Sequence, residues 1–235
     1  MSESGITVLL VDDHKLVRKG LETILAAHGI DVIGGVPDGE SAIKFVKERK
    51  PDVVLMDVKM PKMGGVAATV HLFQMEPNLR VLAISSCKEE PFPTRLLQAG
   101  AVGYITKDSS PEEIAHAIRT VHAGQKYITP SIAERLAVRH LVKTEKSPFA
   151  ALSSRELQVM MLITQGMKVL EISLKLGLSP KTVNSYRYRL FEKLGISNDV
   201  ELTHLAIRHG IEVEALEGGP DEEEIPAAAD DGQEE

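Results

Sequence analysis

Val53-Val54-Leu55-Met56-Asp57-Val58-Lys59-Met60-Pro61 decides how this chain is read. Four apolar residues run into an acid, and a proline follows four positions later. An unbroken apolar run of this length reads as a strand covered on both faces, as in a parallel sheet. The acid then stands at the carboxyl end of the strand, where open α/β sheets hold their chemistry. A carboxylate there, joined by acids from a second strand end, makes a cation site and a candidate nucleophile.

Outward from this stretch, short apolar runs alternate with amphipathic ones. Ile6–Val11, Val32–Ile33, Val53–Met56, Val81–Ile84 and Val102–Ile105 read as five strands. Leu16–Ala27, Gly39–Glu48, Val66–Met75, a stretch near Arg95–Ala99 and Pro111–Ala123 read as helices. The last has Pro in its first turn and Glu112 and Glu113 near its amino end, where the helix dipole favours acids. Five such units predict an α/β doubly wound (βα)5 domain. A nucleotide-binding fold would need a glycine-rich loop after a strand to bring amides onto phosphate. The first strand instead ends in Asp12-Asp13-His14, which repels phosphate unless a hard divalent cation intervenes, and Mg²⁺ is the cation expected. A phosphatase of the haloacid dehalogenase type wants a second Asp two residues after the first, and Lys59 stands there.

No apolar run approaches membrane-spanning length. The amino-terminal residues lack a basic segment and a long apolar core, so a cytoplasmic protein is expected. The single Cys87 agrees with a reducing compartment and reads as a small neutral residue on a loop past a strand. The net charge of −7 is unevenly spread. Residues 1–142 sum to zero, 143–216 to +2, and 217–235 carry nine acids and no base. The acidity belongs to the tail and does not argue against nucleic acid as a partner of the segment before it.

Asp12-Asp13, Asp57 with Met60-Pro61, Ser85 at the fourth strand end, and Tyr104-Ile105-Thr106-Lys107 at the fifth together resemble a response-regulator receiver domain, over roughly residues 5–123. The resemblance implies that Asp57 accepts a phosphoryl group from a sensor histidine kinase. It implies that Asp12, Asp13, Asp57 and the Lys59 backbone carbonyl hold Mg²⁺. Lys107 pairs with the transferred group, Ser85 donates a hydrogen bond to it, and Tyr104 moves inward with Ser85. Receivers often carry Thr where Ser85 stands; Ser keeps the hydroxyl. His14 reads as a helix-start residue and His71 as a helix-surface residue.

Residues 124–149 read as a linker, with a helix at Ser131–Val142 and a flexible hinge near 143–149. A helical unit follows over 150–212. Ser153 and Glu156 form a capping box ahead of Leu157–Thr164. Leu170–Leu176 is short and is followed by Gly177. Ser179-Pro180 starts Lys181–Leu194, whose Val183, Tyr186, Leu190 and Leu194 share a face. Asp199–His209 closes the unit. A short helix, a tight turn and a longer basic helix form a helix-turn-helix pattern, although pattern alone also fits a small helical bundle with a solvated face.

Leu152-Ser153-Ser154-Arg155-Glu156, Glu171-Ile172-Ser173, Leu178-Ser179-Pro180-Lys181-Thr182-Val183 and Lys193-Leu194 resemble the LuxR-type DNA-binding domain. Receiver plus this domain is the NarL/FixJ class, and the runs 179–189 and 201–210 resemble its GacA/UvrY/SirA branch. The resemblance implies that Asn184, Ser185 and Tyr188 face bases, while Lys181, Thr182, Arg187 and Lys193 serve phosphates and orientation. It implies double-stranded promoter DNA and RNA polymerase as partners, a homodimer on phosphorylation through the last helix, and activation of small regulatory RNA genes. The tail, 217–235, reads as a disordered solvated extension; competition with DNA for the basic helix is the sharper alternative. The rival class is a phosphorylation-gated interaction adaptor that never binds DNA. Residues 124–216 hold no convergent acid, base and nucleophile set, so no enzymatic output is expected.

Overall fold

The structure, a computed structural model, describes residues 5–88, 91–142, 147–209 and 211. The acidic tail and the 143–146 part of the expected hinge lie outside the described residues. Strands β1 (Thr7–Val11), β2 (Asp31–Val36), β3 (Val53–Asp57), β4 (Arg80–Ser85) and β5 (Gly103–Thr106) alternate with helices α1 (Lys15–Ala27), α2 (Gly39–Glu48), α3 (Gly65–Met75), α4 (Phe92–Gln98) and α5 (Pro111–His122). With a sixth strand, β6 (Tyr127–Ile128), all pairings are parallel, in the order β2-β1-β3-β4-β5-β6. Every residue of β3 is buried, because a central parallel strand has helices over both faces. On one face Val8, Leu10, Val53, Leu55 and Ile105 pack with residues of α1 and α5. On the other, Leu9, Val11, Val54 and Met56 pack with residues of α2 and α3.

The sixth strand, β6 (Tyr127–Ile128), departs from the expected linker. It pairs with Gly103 and Tyr104, and a side chain at position 103 would run into the Tyr127 carbonyl. A linker therefore begins only after β6, with α6 (Pro130–Val142). The hinge is corrected at its carboxyl end as well. Residues 148–151 form a short 3-10 helix, and Phe149 within it is completely buried.

Helices α7 (Ser154–Thr164), α8 (Val169–Leu176), α9 (Pro180–Leu194) and α10 (Asp199–Arg208) complete the described elements. The capping box of α7 is present in both directions: Ser153 Oγ accepts from Glu156 N–H at 3.3 Å, and Glu156 Oε2 accepts from Ser153 N–H at 2.7 Å. Gly177 at φ +65° ends α8 in the left-handed region, so the chain can turn directly into α9. Val183 and Leu190 of α9 are buried against a core that includes Leu157, Met160, Ile172 and Leu202. That core is continuous with Phe92, Leu96 and Tyr104 of the sheet region, through Ile132 and Phe149. Arg95 of α4 fastens the junction, donating to the carbonyls of Phe149 (3.0 Å), Ala150 (2.9 Å) and Leu152. Among the described residues, no helix is long and apolar enough to cross a membrane.

Candidate functional site

The strand order reverses at β1: its chain-order neighbour β2 lies on one side and β3 on the other. Val11 is in register with Met56, so the acids that follow β1 and the acid that ends β3 emerge side by side. Ser85 is in register with Thr106, which brings Lys107 to the same edge from β5. Lys107 Nζ lies 2.7 Å from Asp12 Oδ2 and 2.9 Å from Asp57 Oδ2. Asp57 Oδ1 accepts the backbone N–H groups of Val58 (2.6 Å) and Lys59 (3.3 Å). Asp12 and Asp57 are each almost wholly buried.

Burial pushes the Asp57 carboxyl up to about 6. Lys107 opposes that rise and the nearby Asp12 adds to it. Burial works against the charge of Lys107 too, but Asp57 and Asp12 together outweigh it and the ammonium is raised. Both groups are thus raised, with opposite consequences for charge: burial disfavours the Asp57 carboxylate, whereas two carboxylate partners favour the Lys107 ammonium.

Asp12, Asp13, His14 and Asp57 each bring a ligand atom within 4.8 Å of the others. Asp13 Oδ1 is buried and accepts no hydrogen bond, although the His14 ring nitrogen stands 3.0 Å away. A buried carboxylate oxygen without a donor, beside two further acids, fits a hard oxygen-seeking cation such as Mg²⁺. His14 precedes α1, as expected of a helix-start residue, and its ring also contacts Asp12 and Asp13. His71 is exposed on α3.

Ser85 is fully buried, and its Oγ accepts from Cys87 N–H at 3.0 Å. Tyr104 is also fully buried, with its hydroxyl donating to the Cys87 carbonyl. The Cys87 peptide thus joins the two residues, a role that Cys87's neutral side chain gave no reason to anticipate. Cys87 is itself buried, which pushes its thiol up.

On α9, Lys181, Ser185 and Tyr188 are exposed and Asn184 and Thr182 partly so. Arg187 and Lys193 are placed differently from the other bases of this helix. Arg187 makes a bidentate pair with Asp199 of α10, at 2.7 and 2.8 Å. Lys193 Nζ lies 2.7 Å from Glu156 Oε2, whose side chain is buried. Burial works against the Glu156 carboxylate, but Lys193 and the Ser153 donors outweigh it and its pKa is lowered. The stability this contributes is complete above the ordinary glutamate range and is lost as pH falls through the lowered value. Lys193→Ala is expected to cost about 2 kcal/mol at pH 7, less than for a fully buried pair because Lys193 is itself 40% exposed. Urea titration measures the loss; an unchanged midpoint would show that Lys193 is free to serve another partner.

The family model for the response regulator receiver domain matches residues 8–119, and that for bacterial regulatory proteins of the luxR family matches residues 150–206. The chain is 53% identical to the response regulator GacA of Pseudomonas aeruginosa over 208 residues, covering 88% of this chain and 97% of that protein. It is 52% identical to the response regulator UvrY of Escherichia coli over 209 residues, covering 88% and 95%. A solved LuxR-family two-component response regulator from Aurantimonas superposes with a TM-score of 0.57 at 34% identity, over 59% of this chain and 99% of that one. With both family models matched in this order and over half of the matched residues identical to GacA and UvrY, the chain belongs to the LuxR-type response regulators of two-component systems.

Proposed function

We propose that Asp57 is the phosphoacceptor and that its phosphorylation controls binding of promoter DNA by residues 150–212. The convergence of Asp12, Asp57 and Lys107 from three strand ends carries this reading. An Asp57 oxygen attacks the phosphorus of a phosphohistidine on a sensor kinase. The P–N bond breaks as the new P–O bond forms, and the electron pair leaves on the imidazole nitrogen. Asp12, Asp13, Asp57 and the Lys59 carbonyl would hold Mg²⁺, which supplies positive charge to the phosphoryl oxygens. Lys107 exchanges its contact with Asp57 for one with the transferred group, and the Ser85 hydroxyl turns from Cys87 to donate to it. Tyr104 already lies inward, so the movement of the Cys87 peptide is what couples Ser85 to it.

In the DNA complex Asn184, Ser185 and Tyr188 read base edges from the exposed face of α9, and Lys181 and Thr182 contact phosphates. Arg187 and Lys193 reach phosphate only by giving up their pairs with Asp199 and Glu156. A dimer formed through α10 would bind an inverted repeat and bring RNA polymerase to the promoter. The similarity to GacA and UvrY favours small regulatory RNA genes as targets, and cytoplasmic placement follows from a DNA target.

The test is incubation with phosphoramidate and Mg²⁺, read by intact mass, followed by gel shift on genomic promoter fragments. Wild type should gain one phosphoryl group, and Asp57→Ala none. Phosphorylation should tighten binding to a subset of fragments. Transfer without any DNA shift would favour the interaction adaptor instead.

A further inference from the structure

The loop from Val58 to Gly65 is closed on itself: Gly65 N–H donates to the Val58 carbonyl at 3.2 Å, which ties its two ends together. Between those ends it is fastened by two helices. Arg155 and Gln158 of α7 donate to the Lys62 and Met60 carbonyls. The start of α2 makes the other contacts. Gly39 N–H donates to the Met63 carbonyl at 3.1 Å, and Asp38 Oδ2 accepts from Lys62 Nζ at 3.1 Å. Asp38 is buried and caps α2 with its other oxygen, Oδ1, which accepts from Ser41 N–H at 2.8 Å. Burial works against the Asp38 carboxylate, but the Ser41 donors and Lys62 outweigh it and its pKa is lowered. Each oxygen of this acid therefore has a donor of its own, one for the helix and one for the loop.

Lys62 gives the second contact its importance. Among the described residues it is the non-glycine with positive φ, at +55°. A Cβ makes left-handed backbone costly, and a residue stays there where its surroundings over-determine it. The loop ends are tied and Met63 is held by Gly39, so a change of φ at Lys62 falls on residues 59–61. The Lys59 peptide lies in that stretch. Its amide holds Asp57 Oδ1 at 3.3 Å, against 2.6 Å for the Val58 amide, so it is the weaker of the two bonds that orient the carboxylate. Its carbonyl is the one that would serve Mg²⁺.

We propose that Asp38 is a positioning residue for phosphoryl transfer: by holding Lys62 in its left-handed turn, it keeps the Lys59 peptide in place beside Asp57. The inference rests on the phosphoacceptor reading above. Asp38 is not a member of the acid cluster and acts through the loop.

Asp38→Asn separates this role from the cap. Its carbonyl oxygen still accepts from Ser41, while its amide NH₂ meets Lys62 donor to donor. Full-length wild type, Asp38→Asn, Lys62→Gly and the double variant are compared, with thermal melts confirming that each is folded. Mg²⁺ affinity is read by calorimetry, and the rate of transfer from phosphoramidate by intact mass. Asp38→Asn should weaken Mg²⁺ binding and slow transfer, each by roughly fivefold, the scale of an uncompensated left-handed residue. Glycine adopts positive φ without steric cost, so in the Lys62→Gly background Asp38→Asn should change neither quantity. In EDTA, amide exchange at Lys59 should rise in Asp38→Asn but not between Lys62→Gly and the double variant. Wild-type affinity and rate in Asp38→Asn would overturn the proposal. So would an equal loss in both backgrounds, which would place the effect in the cap of α2. Absence of transfer in all four proteins would remove the acceptor reading itself, and this one with it.

Discussion

Gly65→Ala should destabilise the protein by about 3 kcal/mol and slow phosphoryl transfer to Asp57 by roughly 100-fold. Gly65 opens α3, and a Cβ built on it would lie 2.1 Å from the Asp57 carbonyl oxygen and 3.0 Å from the Asp57 carbonyl carbon. The obstacle is backbone on both sides, so no rotamer change relieves it. The strand end or the helix start has to move, and either movement displaces the carboxylate from Lys107. Gly20→Ala is the matched control: Gly20 lies within α1 with nothing near its Cβ position. There the added methyl should stabilise by about 0.5–1 kcal/mol, the usual helix-interior difference. Urea titration of both variants, with the phosphorylation rate of each, makes the comparison. A Gly65→Ala protein that unfolds and reacts like wild type would show that the approach of α3 to β3 is looser than its geometry implies.

The second large effect is a gain in stability. Asp57→Asn should abolish phosphorylation and yet raise the unfolding free energy of the metal-free protein at pH 7 by about 1–3 kcal/mol. Asp57 is buried beside Asp12, and its carboxyl is raised from 3.8 to about 6. A carboxyl raised in the folded state binds protons more tightly there than in the unfolded chain. Its folded-state penalty is therefore absent below the unfolded value, grows between about pH 4 and 6, and is complete above pH 6. Asparagine never carries the charge. Its advantage should be full at pH 7 and fade toward pH 4, offset in part by the lost Lys107 contact. Denaturant unfolding in EDTA at both pH values tests this, and a variant less stable than wild type at pH 7 would mean that the Lys107 pair outweighs burial.

Much of this architecture was legible because local rules suffice for it. The apolar run 53–56 ending in Asp57 reads as a covered strand with an acid at its edge, and β3 is that strand. Ser153 with Glu156, and Ser179 with Pro180, marked two helix starts through bonds that span three residues. Tyr127–Ile128 was not legible as a strand. Two residues show no periodicity, and what admits them to the sheet is the missing side chain of Gly103, 24 positions earlier. Arg187 and Lys193 looked like free bases on a basic helix because their partners, 12 and 37 residues away in the chain, are reached only when the helices pack.

The sequence by itself determined the alternation of β1–β5 with α1–α5, the acids at the ends of β1 and β3, the lysine after β5 and the caps of the output helices. These depend on side-chain chemistry within one turn or one strand. Tertiary structure alone decided that Lys107 is shared by Asp12 and Asp57, that the Cys87 peptide joins Ser85 to Tyr104, and that α7 holds the loop beside Asp57. Those contacts join residues 95, 50, 17, 93 and 98 positions apart. No periodicity or cap extends over such distances. Only burial of the faces of the sheet and helices against one another brings the donors and acceptors within reach.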